Sequence, residues 1–348
     1  MKQFAVLLIL LIILAGCPSQ QQAPDQPPDQ AQQNATPPVQ TPEPEEVEEE
    51  DAEGEPEQAE GDEEVGEAEE PEHERIVPEF YKGIWMPSPG HQSMQASEVL
   101  LEHGVNVVAL GITVTYLEDG TVYSDEPILE EQEADLRALI QEYHEKGIAV
   151  MLVPEPMPSG MMGEPNPIPE NSRDQFLETM EPEVIKWAEF AEEQGVELFS
   201  PMNEPDRKVG EQKGVSWSQK ILPELREVYT GKLVWKGDLE EFFGGTAITG
   251  EGGVVGVITG GDMNFSGYDV LGFTASASGE RFDEFEARLK EMVDALLEES
   301  EADGVPEPMI TEMLVPPSGG MSEEQKVQAH EIVFEEAESR LNGVFVFD

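Results

Sequence analysis

Two segments of the sequence decide the fold: VNVVAL at residues 105–110 and EEQEADLRALIQEYHEKGIAVMLV at residues 130–153. The first is a short apolar run that predicts a buried strand. The second begins as an amphipathic helix, with an apolar stripe through Leu136, Ile140 and Tyr143 that stops at Gly147. It ends in another apolar run. The two segments therefore predict a strand–helix–strand unit with parallel strands.

The same unit recurs along residues 76–348. Strand-like runs lie at residues 81–85, 105–110, 148–153, 196–202, 232–235, 269–273, 308–312 and 343–347. Most of them are apolar throughout, as expected when both faces of a parallel sheet are buried. Eight such units predict a (β/α)8 TIM barrel, with a doubly wound open sheet as the alternative. No helical pattern follows the eighth run, so we expect a barrel without its last helix. Either the sequence is truncated there, or another segment covers the seam.

The N-terminal residues have the pattern of an export signal. Lys2 precedes an apolar run of 12 residues, 4–15, which is too short to span a bilayer as a helix. The run ends in Leu14-Ala15-Gly16-Cys17, which resembles a lipobox. We therefore expect residues 1–17 to be a lipoprotein signal peptide. Lipidated Cys17 would then anchor the protein at the cell surface, on the outer face of the membrane. The alternative is an ordinary signal peptide with an unmodified cysteine.

Residues 18–75 are rich in Pro, Gln and Glu and contain no aromatic residue. Such a composition predicts a disordered stalk, because it cannot bury enough apolar surface to fold. The stalk holds 21 of the 75 acidic residues, and the remaining 54 face 17 Lys and Arg residues in the folded part. This balance argues against a nucleic-acid partner, which needs clustered basic residues. It also suggests high-salt surroundings, where screening tolerates such charge.

Acidic residues close two of the predicted strands. The fourth strand is followed by Asn203-Glu204-Pro205, and the seventh ends in Glu312. Active sites of TIM barrels lie at the C-terminal ends of the strands. Strands four and seven lie across the barrel mouth from each other, so both carboxylates are expected to face one cavity. Two carboxyl groups, one protonated and one ionised, are what cleavage of a glycosidic bond requires.

These residues resemble clan A of the glycoside hydrolases, to which endo-β-1,4-galactanases and β-mannanases belong. The resemblance implies a retaining mechanism, with Glu204 as the general acid/base and Glu312 as the nucleophile. It also implies that Asn203 hydrogen-bonds the sugar 2-hydroxyl. Three features of the clan are missing from this sequence. A Tyr after strand six is replaced by the stretch starting at Phe273, a Trp after strand eight is absent, and no strand-end Arg supports the nucleophile.

Further substrate-binding candidates lie at strand ends. Trp85 and Trp235 end strands one and five and would stack on sugar rings, unless they pack in the core. His91 follows strand one and would line the cleft, unless it lies on a surface loop. Phe273, at the sixth strand, is a further candidate. The five histidines lack metal-ligand spacing, so we expect no metal site and no cofactor.

Three functions remain open at this point. The first is a retaining glycoside hydrolase that cleaves a glycosidic bond in an extracellular oligo- or polysaccharide. The second is a barrel that binds glycans without turning them over. The third is a structural or adhesive surface lipoprotein, for which an anchor and a stalk would suffice.

Overall fold

The computed structural model describes residues 74–86, 97–123, 126–159, 168–238, 263–315 and 320–347. The predicted signal peptide lies outside these ranges, as does the predicted stalk except for its last two residues. Within the described ranges no helix combines the length and the apolar composition needed to cross a bilayer.

Eight parallel strands form a closed barrel. The strands are β1 Tyr81–Met86, β2 Val107–Tyr116, β3 Ala149–Pro158, β4 Leu198–Phe199, β5 Lys232–Gly237, β6 Val270–Ser276, β7 Glu307–Leu314 and β8 Gly343–Phe347. Each strand pairs with its neighbours in sequence, and β1 pairs with both β2 and β8, so the sheet closes. The predicted TIM barrel is therefore confirmed, and the open sheet is excluded. A two-residue strand, Val122–Tyr123, adds antiparallel to the end of β2.

Seven helices accompany the strands in the described part of the chain. They are α1 Ser97–Glu102, α2 Glu126–Glu145, α3 Arg173–Glu193, α4 Pro205–Val209, α5 Glu211–Val228, α6 Phe282–Asp303 and α7 Glu323–Arg340. Two of them, α4 and α5, follow β4. No helix follows β8 in the described residues, as the sequence predicts. The segment between β5 and β6, residues 239–262, lies outside the described ranges.

The barrel has an inner and an outer apolar layer, because side chains along a barrel strand alternate between the interior and the exterior. The inner layer contains Trp85, Val234 and Met309, among others. The outer layer packs beneath the helices and contains Trp235. On β5, Val234 faces inward and Trp235 outward, so the next residue, Lys236, faces the interior again.

Residues 75 and 76 close the barrel at its lower end, where the strands begin. Ile76 packs against the inner layer, and its backbone N–H donates to the buried carboxylate of Glu197 at 2.9 Å. The same carboxylate accepts the backbone N–H of Val150 at 2.7 Å. Arg75 donates to the carbonyl oxygen of Val196 at 2.9 Å. The chain therefore enters the barrel at the face opposite the C-terminal strand ends.

Candidate functional site

Glu204 lies between the end of β4 and the start of the short helix α4. It is the only non-glycine residue of the described chain with a positive φ, at 48°. A left-handed backbone at a non-glycine residue costs about 1–3 kcal/mol and persists where the surroundings enforce it. Here the Glu204 backbone N–H donates to the carbonyl oxygen of Lys236 at 3.0 Å. Its buried side chain accepts a hydrogen bond from Thr274 Oγ1 at 2.7 Å and one from Arg207 Nη1 at 3.3 Å.

Glu312 reaches the cleft because β7 carries a bulge. Phe273 of β6 pairs with Ile310, but the next residue of β6, Thr274, pairs with Glu312, so Thr311 is one residue extra on β7. A bulge breaks the alternation of faces and re-aims the side chain that follows it. Ile310 lies in the outer layer. In a regular strand Glu312 would therefore face outward with Ile310, and the bulge turns it inward.

Gly272 makes room for this bulge. A Cβ on Gly272 would lie 2.3 Å from Cγ2 of Thr311, closer than real Cβ atoms approach other heavy atoms. The hydroxyl of Thr311 also donates to the carbonyl oxygen of Phe273 at 3.3 Å, which ties the bulge back to β6. Because Gly272 on β6 has no side chain, the extra residue Thr311 on β7 has space beside it.

Lys236, at the end of β5, joins the parts of the site. Its side chain is fully buried, and Nζ donates to Oε2 of Glu312 at 2.7 Å and to Oδ1 of Asn203. Nζ also lies 5.1 Å from the centre of the Trp85 ring, a cation–π distance. Burial lowers the pKa of Lys236, but the charges of Glu312 and Glu204 outweigh burial, and the net pKa is raised. The residue is therefore an ammonium ion and not an amine nucleophile.

The two glutamates have pKa values shifted in opposite directions. Burial raises the pKa of Glu204, but the charges of Lys236 and Arg207 and the Thr274 hydrogen bond outweigh it, and the net pKa is lowered. Burial also raises the pKa of Glu312, and the negative charge of Glu204 adds to it, so the pKa stays raised despite Lys236. In this arrangement a proton is therefore held by Glu312 in preference to Glu204.

Helix α4 adds two buried ionisable side chains, Lys208 and Asp206, to the site. Lys208 is buried and donates to Oε1 of Glu155, at the mouth end of β3, at 3.0 Å. Asp206 is buried too, and it accepts the backbone N–H of Asp238 at 3.0 Å. Burial, with the charge of Glu204 added to it, raises the pKa of Asp206 to about 7. Asp206 thus holds a proton over much of the acidic to neutral range.

The structure brings together four of the residues singled out from the sequence. Glu204, Glu312 and Asn203 meet around Lys236, and Trp85 forms the floor beneath it. His91 lies outside the described residues, as does the predicted lipidation site Cys17.

The structure corrects three substrate-binding predictions. Trp85 is 1% exposed and has Lys236 over its ring, so the ring is not accessible for sugar stacking. Trp235 lies in the outer layer, and its ring centroid is 4.6 Å from that of Phe265. Phe273 lies in the outer layer as well and is fully buried. Strand alternation directs the side chains of both residues away from the barrel interior. They cannot contact a sugar in the cleft.

Sequence reasoning missed the residues next to these two. Lys236 and Thr274 each follow an outward-facing aromatic residue by one position, and alternation would have placed both of them inside. A lysine at the end of an apolar strand was the available signal for Lys236. Arg207 gave no comparable signal, because it lies on a helix of five residues.

Comparison with known proteins adds evidence on the fold. No protein-family model matches the sequence, and no curated protein sequence matches it. Several solved structures of glycoside hydrolases are similar to it. A GH113 β-1,4-mannanase superposes with a TM-score of 0.54 at 15% identity, over 78% of this chain and 89% of that one. A GH113 β-mannanase from Alicyclobacillus acidocaldarius gives 0.56 at 14% identity, over 79% and 88%.

An exo-β-1,4-mannosidase from an Opitutaceae bacterium gives a TM-score of 0.52 at 14% identity, over 77% of this chain and 51% of that one. Identities this low establish similarity of fold and carry no residue roles. The chain therefore shares the (β/α)8-barrel fold of these glycoside hydrolases.

Proposed function

We propose that the protein is a retaining glycoside hydrolase that acts on an extracellular glycan. One observation carries the proposal: Glu204 from β4 and Glu312 from β7 are both buried around one ammonium ion, that of Lys236. Two carboxyl groups on opposite sides of the mouth of a TIM barrel can serve as the acid/base and the nucleophile of a double displacement. The similarity of fold to mannanase structures makes β-mannan the first polysaccharide to test.

The proposed reaction has two steps. In the first, Glu204 gives its proton to the leaving oxygen as the bond from that oxygen to the anomeric carbon breaks. The leaving oxygen keeps the bonding electrons, and Glu312 Oε1 forms a bond to the anomeric carbon. In the second step Glu204 takes a proton from water, and the water oxygen bonds to the anomeric carbon. The ester bond breaks, and its electrons return to Glu312.

The first step needs a protonated Glu204, although neighbouring cations and the Thr274 hydrogen bond lower the pKa of this residue. Arg207 is one of the causes, and its side chain is 42% exposed. In the proposed mechanism a leaving-group sugar would take the place of this guanidinium beside Glu204. Displacement removes one charge that lowers the pKa of Glu204, and the sugar removes solvent, so substrate binding would raise that pKa toward the value of a general acid.

The test begins with residues 74–348 in high salt, on β-mannan, β-galactan and a panel of aryl glycosides. Proton NMR of the first product reports its anomeric configuration, and we expect retention. Inversion would exclude a covalent intermediate and the roles given above.

The roles are then tested in two variants. Glu312→Ala should lose turnover. Glu204→Ala should keep activity on aryl glycosides with good leaving groups, and added azide should accelerate it and give a glycosyl azide of retained configuration. If azide instead rescues Glu312→Ala in this way, the two residues have exchanged roles, as the lowered pKa of Glu204 and the raised pKa of Glu312 would suggest.

A glycan-binding barrel without turnover is the second candidate. The departures from the clan-A resemblance favour it, because the Tyr after strand six that would bond the nucleophile is replaced by the stretch starting at Phe273. Calorimetric titration with the same glycans decides between the two. If the protein binds a glycan but releases no reducing ends over days, it is a glycan-binding module and not a glycoside hydrolase.

We further propose that the protein is anchored outside the cell through Cys17. The support is the apolar run that ends at Cys17 and the long Pro-, Gln- and Glu-rich segment that follows. An extracellular position would give the barrel access to polysaccharides, which do not cross membranes.

A further inference from the structure

We propose that Lys236 is the positioning residue of the catalytic centre, and that it orients both the nucleophile Glu312 and the substrate-binding amide of Asn203. This inference rests on the glycosidase function proposed above. The sequence has neither the strand-end Arg nor the Tyr after strand six that the clan-A resemblance implies. In this proposal Lys236 takes their place beside the nucleophile.

The hydrogen bonds of Lys236 fix which atoms remain for the substrate. Nζ holds Oε2 of Glu312 at 2.7 Å, which leaves Oε1 for attack on the anomeric carbon. Nζ also donates to Oδ1 of Asn203, so the NH2 group of this amide is directed elsewhere and can donate to a sugar hydroxyl. Without the ammonium, both side chains would lose this hydrogen-bond donor.

The burial of Lys236 makes this arrangement rigid. The side chain has no exposed surface, with the Trp85 ring on one side and Glu312 on another. A buried ammonium without its partners would lose its hydration and gain nothing, so the lysine cannot swing out to solvent. Two other charged groups act on the pair, Glu204 and Glu155, and Arg207, Lys208 and Asp206 in turn act on or are affected by Glu204.

The same three strands contain a matched ion pair outside the cleft. Lys232, four positions earlier on β5, donates to both oxygens of Glu307 on β7, at 2.5 and 2.8 Å. Its Nζ lies 5.2 Å from the ring centre of Tyr81 on β1, as that of Lys236 lies over Trp85. This pair sits at the strand beginnings, far from the substrate. Lys232→Met is therefore the control for loss of a β5–β7 ion pair as such.

The first experiment needs no substrate. The side-chain carboxyls are labelled with 13C-glutamate, and Glu312 is assigned from Glu312→Gln. In Lys236→Met the titration midpoint of Glu312 should rise by at least about one pH unit, because its nearest cation is gone. In Lys232→Met it should stay where it is in the parent. A Glu312 midpoint that does not rise in Lys236→Met overturns the proposal.

The second experiment measures turnover of an aryl glycoside. Removal of a single buried electrostatic partner at a reacting centre costs about 100- to 1,000-fold in kcat, and we expect a loss of this size in Lys236→Met. The pH profile of kcat/KM should shift on its acid limb with the Glu312 midpoint. Lys232→Met should stay within about threefold of the parent. Equal turnover by the two variants overturns the proposal.

If Lys236→Met does not fold, Lys236→Ala purified in ethylammonium chloride carries the test. Ethylammonium should restore turnover and ethanol should not, because the site needs the charge and not only the volume. Equal restoration by both compounds overturns the proposal. If the parent cleaves no glycoside, the glycosidase proposal fails, and the NMR titration alone still decides whether Lys236 sets the charge of Glu312.

Discussion

Asp206→Asn should make the barrel more stable at alkaline pH. Asp206 is 1% exposed, and its pKa is raised from an ordinary value of 3.8 to about 7 by burial and by the charge of Glu204. The folded state therefore holds the proton more tightly than the unfolded chain does. The stabilisation that the protonated Asp206 contributes is fully present below about pH 4 and is lost as the pH rises through about 7. The variant cannot ionise, so it escapes this loss.

The size of the effect follows from the shift. A rise from 3.8 to about 7 corresponds to about 4 kcal/mol of unfolding free energy at most. The asparagine keeps an oxygen to accept the Asp238 N–H, which Asp206 now accepts at 3.0 Å. Relative to the parent, the variant should therefore gain up to about 4 kcal/mol between pH 4 and pH 8.

The assay is urea unfolding of parent and variant at pH 4, 6 and 8 in constant salt. Only the difference between the two proteins is used, because both share the repulsion among the many other acids. Asp174→Asn is the control, since the Asp174 side chain is 91% exposed. It should stay within about 0.5 kcal/mol of the parent at every pH. A difference between Asp206→Asn and the parent that is independent of pH would refute the reasoning.

Three further predictions concern other parts of the chain. Deletion of Thr311 removes the extra residue of β7, so Glu312 follows the outward-facing Ile310 directly and should still face inward; turnover should persist, and its loss in a barrel that far-UV circular dichroism reports as folded would contradict the bulge. Arg207→Gln should raise the pKa of Glu204, because a cation 3.3 Å away is removed; the alkaline limb of the pH profile of kcat/KM should move upward. Cys17 should carry lipid and be the first residue of the mature protein, which mass spectrometry of the native N-terminus checks; an unmodified Cys17 would contradict the anchor.

The sequence predicts the barrel and two of its strand-end glutamates, because apolar periodicity and strand order need only the local pattern. It predicts less well which way each side chain faces. The place of Trp235 at a strand end is compatible with the cleft or with the core, and only the inward position of Val234 one residue earlier shows that Trp235 faces the outer layer. Facing depends on strand register, and a bulge such as that at Thr311 changes it without a signal in a single sequence.

The charged contacts of the site were less predictable still. The bond from Lys236 to Glu312 joins residues 76 positions apart, and that from Thr274 to Glu204 joins residues 70 apart. Both depend on which inward side chains meet across the closed barrel. Among so many acids, composition alone could not show which carboxylates have a cation beside them.

The entry of the chain at the lower end of the barrel has a practical consequence. Arg75 and Ile76 are fastened to the face where the strands begin, and the glutamates stand at the opposite face. A tag, surface or fusion partner joined ahead of residue 74 therefore attaches at the back of the barrel. Immobilisation through the N-terminus should leave the mouth open to long polymers, whereas a C-terminal fusion has no comparable separation built in, because β8 runs toward the mouth.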